Sequence, residues 1–218
     1  YGAVNLFPLM KDDEFRAEMT RVTGINPCSA EDLTKGEIAC RRQILEVMDW
    51  LHKNYKGTEN IRLTKIANMM GMMVSRRIVA EYKVTTDDIL NYKMFDDVIS
   101  MNAYGVDIHN PDGGGCELYW LIPGHAYSIP YRALLPMGVE NIIAAGRCIA
   151  HEGIAVMSTC YGTGEAAGAA AALSIKENVE LRKLSIDKLQ DALRKQGVYL
   201  GEAEPEKPEP RYIHIKTL

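Results

Sequence analysis

Apolar residues recur at near-helical spacing through Ile38, Leu45, Met48, Leu51 and Tyr55, and the run closes at Gly57. Thr34 with Glu37 three positions later forms a capping box, so the pattern predicts a long amphipathic helix starting there. Arg76–Tyr82 (RRIVAEY) contains β-branched residues and no Gly or Pro, which predicts a strand, and Thr85 with Asp88 signals a second helix start. Tyr104, Val106 and Ile108 alternate with Gly105, Asp107 and His109, the period of a strand, before Pro111 to Gly115 (PDGGG) forces a turn or loop. Residues 139–146 (VENIIAAG) form a compact apolar run closed by glycine, the pattern of a buried strand. The carboxyl end of such a strand is where an α/β sheet places ligands.

Beyond it, an Ala-rich helix is expected from Tyr161 to Glu177, with Gly162, Gly164 and Gly168 giving a nearly flat face for packing against a sheet. Ser185 caps a last amphipathic helix that turns Ile186, Leu189 and Leu193 inward, and Gly197 is its expected left-handed C-cap. Glu202 to Pro210 reads as a Pro/Glu linker, and Arg211 to Leu218 alternates enough to add an edge strand. No internal repeat is visible. The methionines 69, 70, 72 and 73 read as packing filler between elements.

Composition narrows the function class. With 218 residues, 47% apolar and 25% charged, the chain can bury a sizeable core, which excludes disorder, collagen-like repeats and a disulfide miniprotein. A net charge of -4 spread along the chain carries no electrostatic footprint for nucleic acid or anionic lipid. The longest nearly uncharged stretch, Cys160 to Ile175, is interrupted by Glu165 and is too weakly apolar to span a bilayer, so no membrane partner is expected. Five cysteines without a C-x-x-C pair argue against a disulfide framework and a zinc knuckle, and favour a reducing, cytoplasmic setting. The chain opens on Tyr1 rather than Met, and YGAVNLFPLM reads as continuation, so a fragment is expected.

Gly162-Thr-Gly164-Glu-Ala-Ala167 matches the G-x-G-x-x-A form of the dinucleotide fingerprint. That fingerprint works when its glycines make the tight turn directly after a strand, and here the predicted strand ends at Gly146, sixteen positions earlier. Small-residue packing is the preferred reading. The first turn of the same helix leaves backbone N–H groups unpaired and carries partial positive charge, so an electron-rich group could dock there unless Ser158 or Thr159 caps it. Arg76 and Arg77 could hold an anionic substrate or phosphate, but strand neighbours point to opposite faces, so only one reaches the site. Arg77 is the candidate, and a structural ion pair is the competing reading. His151, just after Gly146, could act as general acid or base, against the plainer reading of a solvated loop histidine. His109 reads as a turn residue, and His52, His125 and His214 lack ligand spacing, so no metal is expected. Cys148 and Cys160 read as small buried hydrophobes.

The ordered set Ser75-Arg-Arg-Ile-Val-Ala-Glu-Tyr82, Asp107-Ile-His-Asn-Pro111, Tyr127-Ser-Ile-Pro-Tyr-Arg-Ala-Leu-Leu-Pro136, Gly138-Val-Glu-Asn-Ile-Ile-Ala-Ala-Gly-Arg-Cys-Ile149 and Gly164-Glu-Ala-Ala-Gly168 changes the picture. Together these segments resemble the C-terminal half of a family of bacterial FAD-dependent oxidoreductases, flavoproteins of the glutathione-reductase-like two-domain architecture. The resemblance runs from about Asn26 to Leu200. It implies an α/β fold: a substrate or cap domain over residues 1–124, the C-terminal part of an FAD-binding domain over 125–200, then the linker and terminal strand over 201–218. It implies FAD as cofactor, with Ala145, Gly146 and Arg147 near its ribityl and pyrophosphate part. Met157, Ser158, Thr159, Cys160 and Tyr161 would then face the pyrimidine edge of the flavin ring.

The family's N-terminal βαβ unit with G-x-G-x-x-G, which holds the ADP half of FAD, has no counterpart between Tyr1 and Asn60. The segment Ile149 to Ala155 is shorter than the family's usual loop, and Met73-Val74 replaces a common Arg-Glu. The implied function is hydride transfer between flavin and a small organic substrate, by a chain that needs a missing N-terminal FAD-binding half or partner chain. An exposed half-domain interface would also drive homo-oligomer formation. The alternatives are a non-catalytic assembly module without flavin and a nicotinamide enzyme using Gly162 to Ala167.

Overall fold

The computed structural model describes residues 4–73, 75–109, 115–153, 156–202 and 206–216. Most of the expected PDGGG turn, Val74, two residues of the 149–155 segment, part of the linker and the end of the terminal strand lie outside the described residues. The chain divides into two compact units, Tyr1–Ser75 with His109–Cys116 and Thr217–Leu218, and Arg76–Ile108 with Glu117–Lys216.

In the first unit, strands β1 (Asn5–Pro8) and β2 (Phe15–Glu18) pair as an antiparallel hairpin, with Asn5 opposite Glu18 and Pro8 opposite Phe15. Helix α1 (Ala30–Asn54) begins four residues before the expected Thr34. Ser29 is the cap, its hydroxyl accepting from the Asp32 amide, and Glu31 and Asp32 place negative charge at the positive end of the helix. Thr34 lies inside the helix and donates to the Ala30 carbonyl, while Glu37 accepts from the Met70 amide, so the expected capping box is used otherwise. The helix is also less buried than its periodicity predicts. Only Gly36 and Leu51 are buried, and Ile38 and Leu45 stay exposed, because the chain straps onto one narrow side of α1. Gln43 makes two 2.9 Å bonds to the Arg21 backbone, and Met70 lies against Gly36.

The second unit holds the main core. After α2 (Thr86–Leu90) come β3 (Val98–Asn102), β4 (Val106–His109), β5 (Cys116–Leu121) and β6 (Tyr127–Pro130). Helices α3 (Met157–Glu177) and α4 (Ile186–Lys195) and strand β7 (Tyr212–Lys216) complete it. β3 and β6 pair antiparallel, with Asn102 opposite Tyr127, and a second sheet has the order β4-β5-β7. The edge position expected for the terminal strand is thus the one β7 takes. α3 packs on β3, and α4 on α3. Between them lie Ile99, Ile129, Leu134, Ala166, Leu189 and Leu193, all fully buried. Thr85 and Asp88 form the expected capping box of α2. Ser185 caps α4, and Gly197 at φ +89° closes it, with Val198 donating to Leu193 and Gly197 to Arg194 in a Schellman arrangement.

Two predicted strands are absent as ladders. Arg76–Tyr82 is extended but alternates partners: Ile78 donates to Cys148, Glu81 to Leu135, Val79 accepts from Met137, and Ala80 bridges Pro136. Bonds on opposite sides of one segment tie two neighbours together without building a regular pair. Residues 139–146 are irregular, anchored by the Ala144 amide on Leu134, with Val139 and Ile142 exposed. No strand pairs with them among the described residues, and an apolar run without a paired strand cannot form a ladder. Gly146 instead opens a 3₁₀ turn, Gly146–Cys148. α3 starts at Met157, four residues before the expected Tyr161. Of its glycines, Gly162 makes the expected close approach, against Ser100 of β3, whereas Gly164 and Gly168 are exposed with open space beside them. The mixture of helices and strands fits an α/β flavoprotein-type fold, and no helix among the described residues is long and apolar enough to cross a membrane.

Candidate functional site

The Gly146–Cys148 turn and the first turn of α3 come together in the second unit. Gly146 has φ +78°, which an L side chain rarely adopts, and its amide donates to the Thr163 hydroxyl at 3.0 Å. A side chain at Gly146 would point toward Cys160, 3.9 Å from its sulfur. Ala145 and Gly146 are half-buried and Arg147 is exposed. The backbone of the turn is thus tied to α3, beside an exposed Arg147.

The end of α3 is built to leave its amides available. Val156 occupies the N-cap position and makes no side-chain cap bond, and the first turn carries no acidic residue. Ser158 is exposed and Thr159 is turned into the core at 1% exposure, so neither acts as the cap allowed by the sequence. Met157 and Tyr161 stand exposed at this end, one turn apart. An uncapped helix start with an adjacent arginine and two uncovered apolar side chains could receive a planar, electron-rich group of anionic character.

His151 is 1% exposed, not a solvated loop residue. Val84 and His151 form a parallel bridge, the Ala150 carbonyl accepting from Val84 and the Glu152 amide donating to Val84. Its Nε2 lies 3.1 Å from the Arg147 carbonyl and, facing an acceptor, carries the proton. Burial holds the imidazole below its ordinary value of 6.5, the bond to the Arg147 carbonyl raises it, and the Arg77 charge lowers it again. Arg77 is exposed and within electrostatic reach of His151, so the two candidate catalytic residues share a neighbourhood. Arg76 is exposed as well, since the segment is not the ladder strand that would have turned one of the pair inward.

Cys148 is exposed, not buried as expected, and its thiol donates to the Ala145 carbonyl at 3.2 Å. Cys160 is half-buried, and burial pushes its thiol up, the Arg147 charge opposing and the nearby Cys148 reinforcing the shift. A raised thiol is protonated at neutral pH and is not an activated nucleophile. All five cysteines are free, and no cluster of His, Cys, Asp or Glu among the described residues could hold a metal ion.

Sequence reasoning missed Asn102, Tyr127 and Thr163 as parts of this region. Asn102 donates to the Tyr127 hydroxyl at 2.7 Å and to the Thr159 hydroxyl at 2.6 Å. The available signal was Thr159 and Thr163, one helical turn apart on the face that buries Ala166 and Ala170: a polar pair on an apolar face needs a partner.

No curated protein and no solved structure matches the chain. A family model described as FAD dependent oxidoreductase matches residues 3–193. That match spans both units and includes every residue of the Gly146 turn and of the start of α3. The chain therefore belongs to the FAD-dependent oxidoreductase family, with a flavin-linked redox function and FAD as its cofactor.

Proposed function

We propose that the chain forms the flavin-ring end of an FAD-dependent oxidoreductase that moves a hydride between flavin and a small organic substrate. The observation that carries the reading is the uncapped start of α3 beside the Gly146–Cys148 turn. Bound FAD supplies the two-electron chemistry. The residues of this chain supply the field and the shape: the unpaired amides of Met157 to Thr159 lower the energy of negative charge placed at the helix start, and exposed Met157 and Tyr161 offer apolar surface to a ring. Arg147 lies on the turn to meet phosphate or ribityl oxygens, and Arg77 to orient an anionic group on the substrate. His151, buried and bonded to the Arg147 carbonyl, fixes the turn that carries that arginine.

The ADP half of the cofactor belongs, in this reading, to a G-x-G-x-x-G unit upstream or on a partner chain, because the sequence before Asn60 has none. The test is the visible spectrum of the purified chain, alone and coexpressed with such an upstream half, followed by heat release and chromatographic identification of the chromophore. FAD in either preparation is the expected result. A colourless protein in both would leave the chain as an assembly module that keeps flavoprotein packing without flavin, and a nicotinamide would point to Gly162–Ala167 instead.

A further inference from the structure

Four uncharged side chains form a buried hydrogen-bonded path between the β3–β6 pair and the start of α3. Asn102, Tyr127, Thr159 and Thr163 are all under 5% exposed. The carboxamide of Asn102 has a defined orientation, because its Oδ1 accepts from the Tyr104 amide at 3.1 Å. Its nitrogen therefore faces the other way, and the two hydrogens are spent on two different elements, Tyr127 of β6 at 2.7 Å and Thr159 of α3 at 2.6 Å. Thr159 is held a second time through its carbonyl, which accepts from the Thr163 hydroxyl at 2.8 Å. The same hydroxyl accepts from the Gly146 amide at 3.0 Å. A continuous path thus runs from the sheet through Asn102, Thr159 and Thr163 to the turn that carries Arg147. Tyr127 stays neutral throughout, since burial drives its phenol far up despite the Asn102 bond.

We infer that Asn102 is a positioning residue, which sets where the first turn of α3 stands relative to the Gly146–Cys148 turn and so where the unpaired amides of the helix point. Apolar packing can press a helix against a sheet, but it resists sliding and rotation weakly, whereas a carboxamide with every partner assigned admits one placement. Such a residue touches no substrate and acts only through Thr159. Its consequence for the flavin rests on the reading given above; its consequence for the turn does not.

The experiment uses the full chain carrying Asn102→Leu, Thr159→Val, or both, with amide hydrogen exchange resolved at Gly146, at Thr163 and at Leu189 and Leu193 of α4. The expected result is exchange at Gly146 at least tenfold faster in each single variant, no faster again in the double variant, and unchanged in α4. Thr159→Val keeps the shape of its residue, so it reports on the same link should Asn102→Leu fail to fold. Unchanged exchange at Gly146, additive effects, or equal acceleration in α4 would overturn the inference, the last by reducing it to general core packing. A second arm measures FAD affinity and the visible band after coexpression with an upstream half. At least tenfold weaker binding and a displaced band in Asn102→Leu are expected. Identical binding and band in variant and wild type would overturn the flavin consequence, while a wild type without flavin sinks the functional reading and leaves the exchange arm to decide the rest.

Discussion

The glycines of α3 separate close packing from open surface, and substitution should move them in opposite directions. A Cβ on Gly162 would overlap the Ser100 hydroxyl and lie 3.0 Å from the Ser100 Cβ. The hydroxyl can rotate away, but the Cβ cannot move without moving β3. Gly162→Val, which also crowds the preceding turn, should cost about 1–3 kcal/mol, the range for overpacking a tight contact. At Gly164 and Gly168 a Cβ meets nothing within 4 Å, and both positions are exposed in a regular helix. Alanine there should stabilise by about 0.8–1 kcal/mol each, the helix-propensity difference. For a chain of this size 1 kcal/mol corresponds to about 2–4 °C in Tm. Thermal unfolding followed by circular dichroism should thus show Gly164→Ala/Gly168→Ala melting about 3–8 °C above wild type. Gly162→Val should melt below it. If Gly164→Ala falls as far as Gly162→Val, something packs closely on that side of α3 and the placement of the helix is wrong.

Stability should fall as the pH drops below about 6.5, because unfolded His151 takes up a proton that the buried imidazole resists until its own lowered pKa is reached. Denaturant titrations of wild type and His151→Gln should differ in slope across that window, by at most about 1.4 kcal/mol per pH unit, and equal slopes would remove the buried-neutral assignment. Asp88 is pushed up by burial, but the Lys93 bond, the Thr85 amide and the Tyr82 hydroxyl outweigh it and hold the carboxyl below 3.8. Its contribution is therefore present above that value and fades as the pH falls through the lowered one. Asp88→Asn should cost about 1–3 kcal/mol at neutral pH and remove that acid-limb loss, checked by urea unfolding at two pH values. Val156→Asp should cap α3 and stabilise the flavin-free chain by about 1 kcal/mol while weakening retention of FAD, read by melting temperature and by bound chromophore.

What was legible in the sequence was local. The Thr85–Asp88 box, the Ser185 cap, the Gly197 closure and the period-two run around Val106 each depend on residues a few positions apart, and each lies where expected. The failures are nonlocal. The run VENIIAAG has a strand's composition, yet a strand is a relation between two segments, and no strand pairs with this one among the described residues. Ile38 and Leu45 have a helix's spacing without the layer that would cover them. Strands β3 and β6 pair across twenty-odd residues of intervening chain, so no hairpin turn joins them directly. The candidate site followed the same rule: the Gly146 turn was visible as a glycine after an apolar run, whereas Asn102, 57 positions before Thr159, is tied to it only by the fold.

In the proposed reading, the uncapped start of α3 sets stability against function at one place. A serine, threonine or aspartate at the N-cap is worth about 1 kcal/mol to a helix, and α1, α2 and α4 all have one, in Ser29, Thr85 and Ser185. α3, long and rich in alanine and glycine, is the helix with most to gain, and it has Val156. Its two nearby hydroxyls do not compensate, since Thr159 is committed to Asn102 and Ser158 faces out. The stabilisation given up at the end of α3 is offset deeper down, by the paired threonines and by alanines packed on β3. A helix anchored along its side and left open at its tip can keep its amides aimed at a ligand without needing the ligand to hold it in place, which is how a preorganised field differs from one that must be assembled at each turnover.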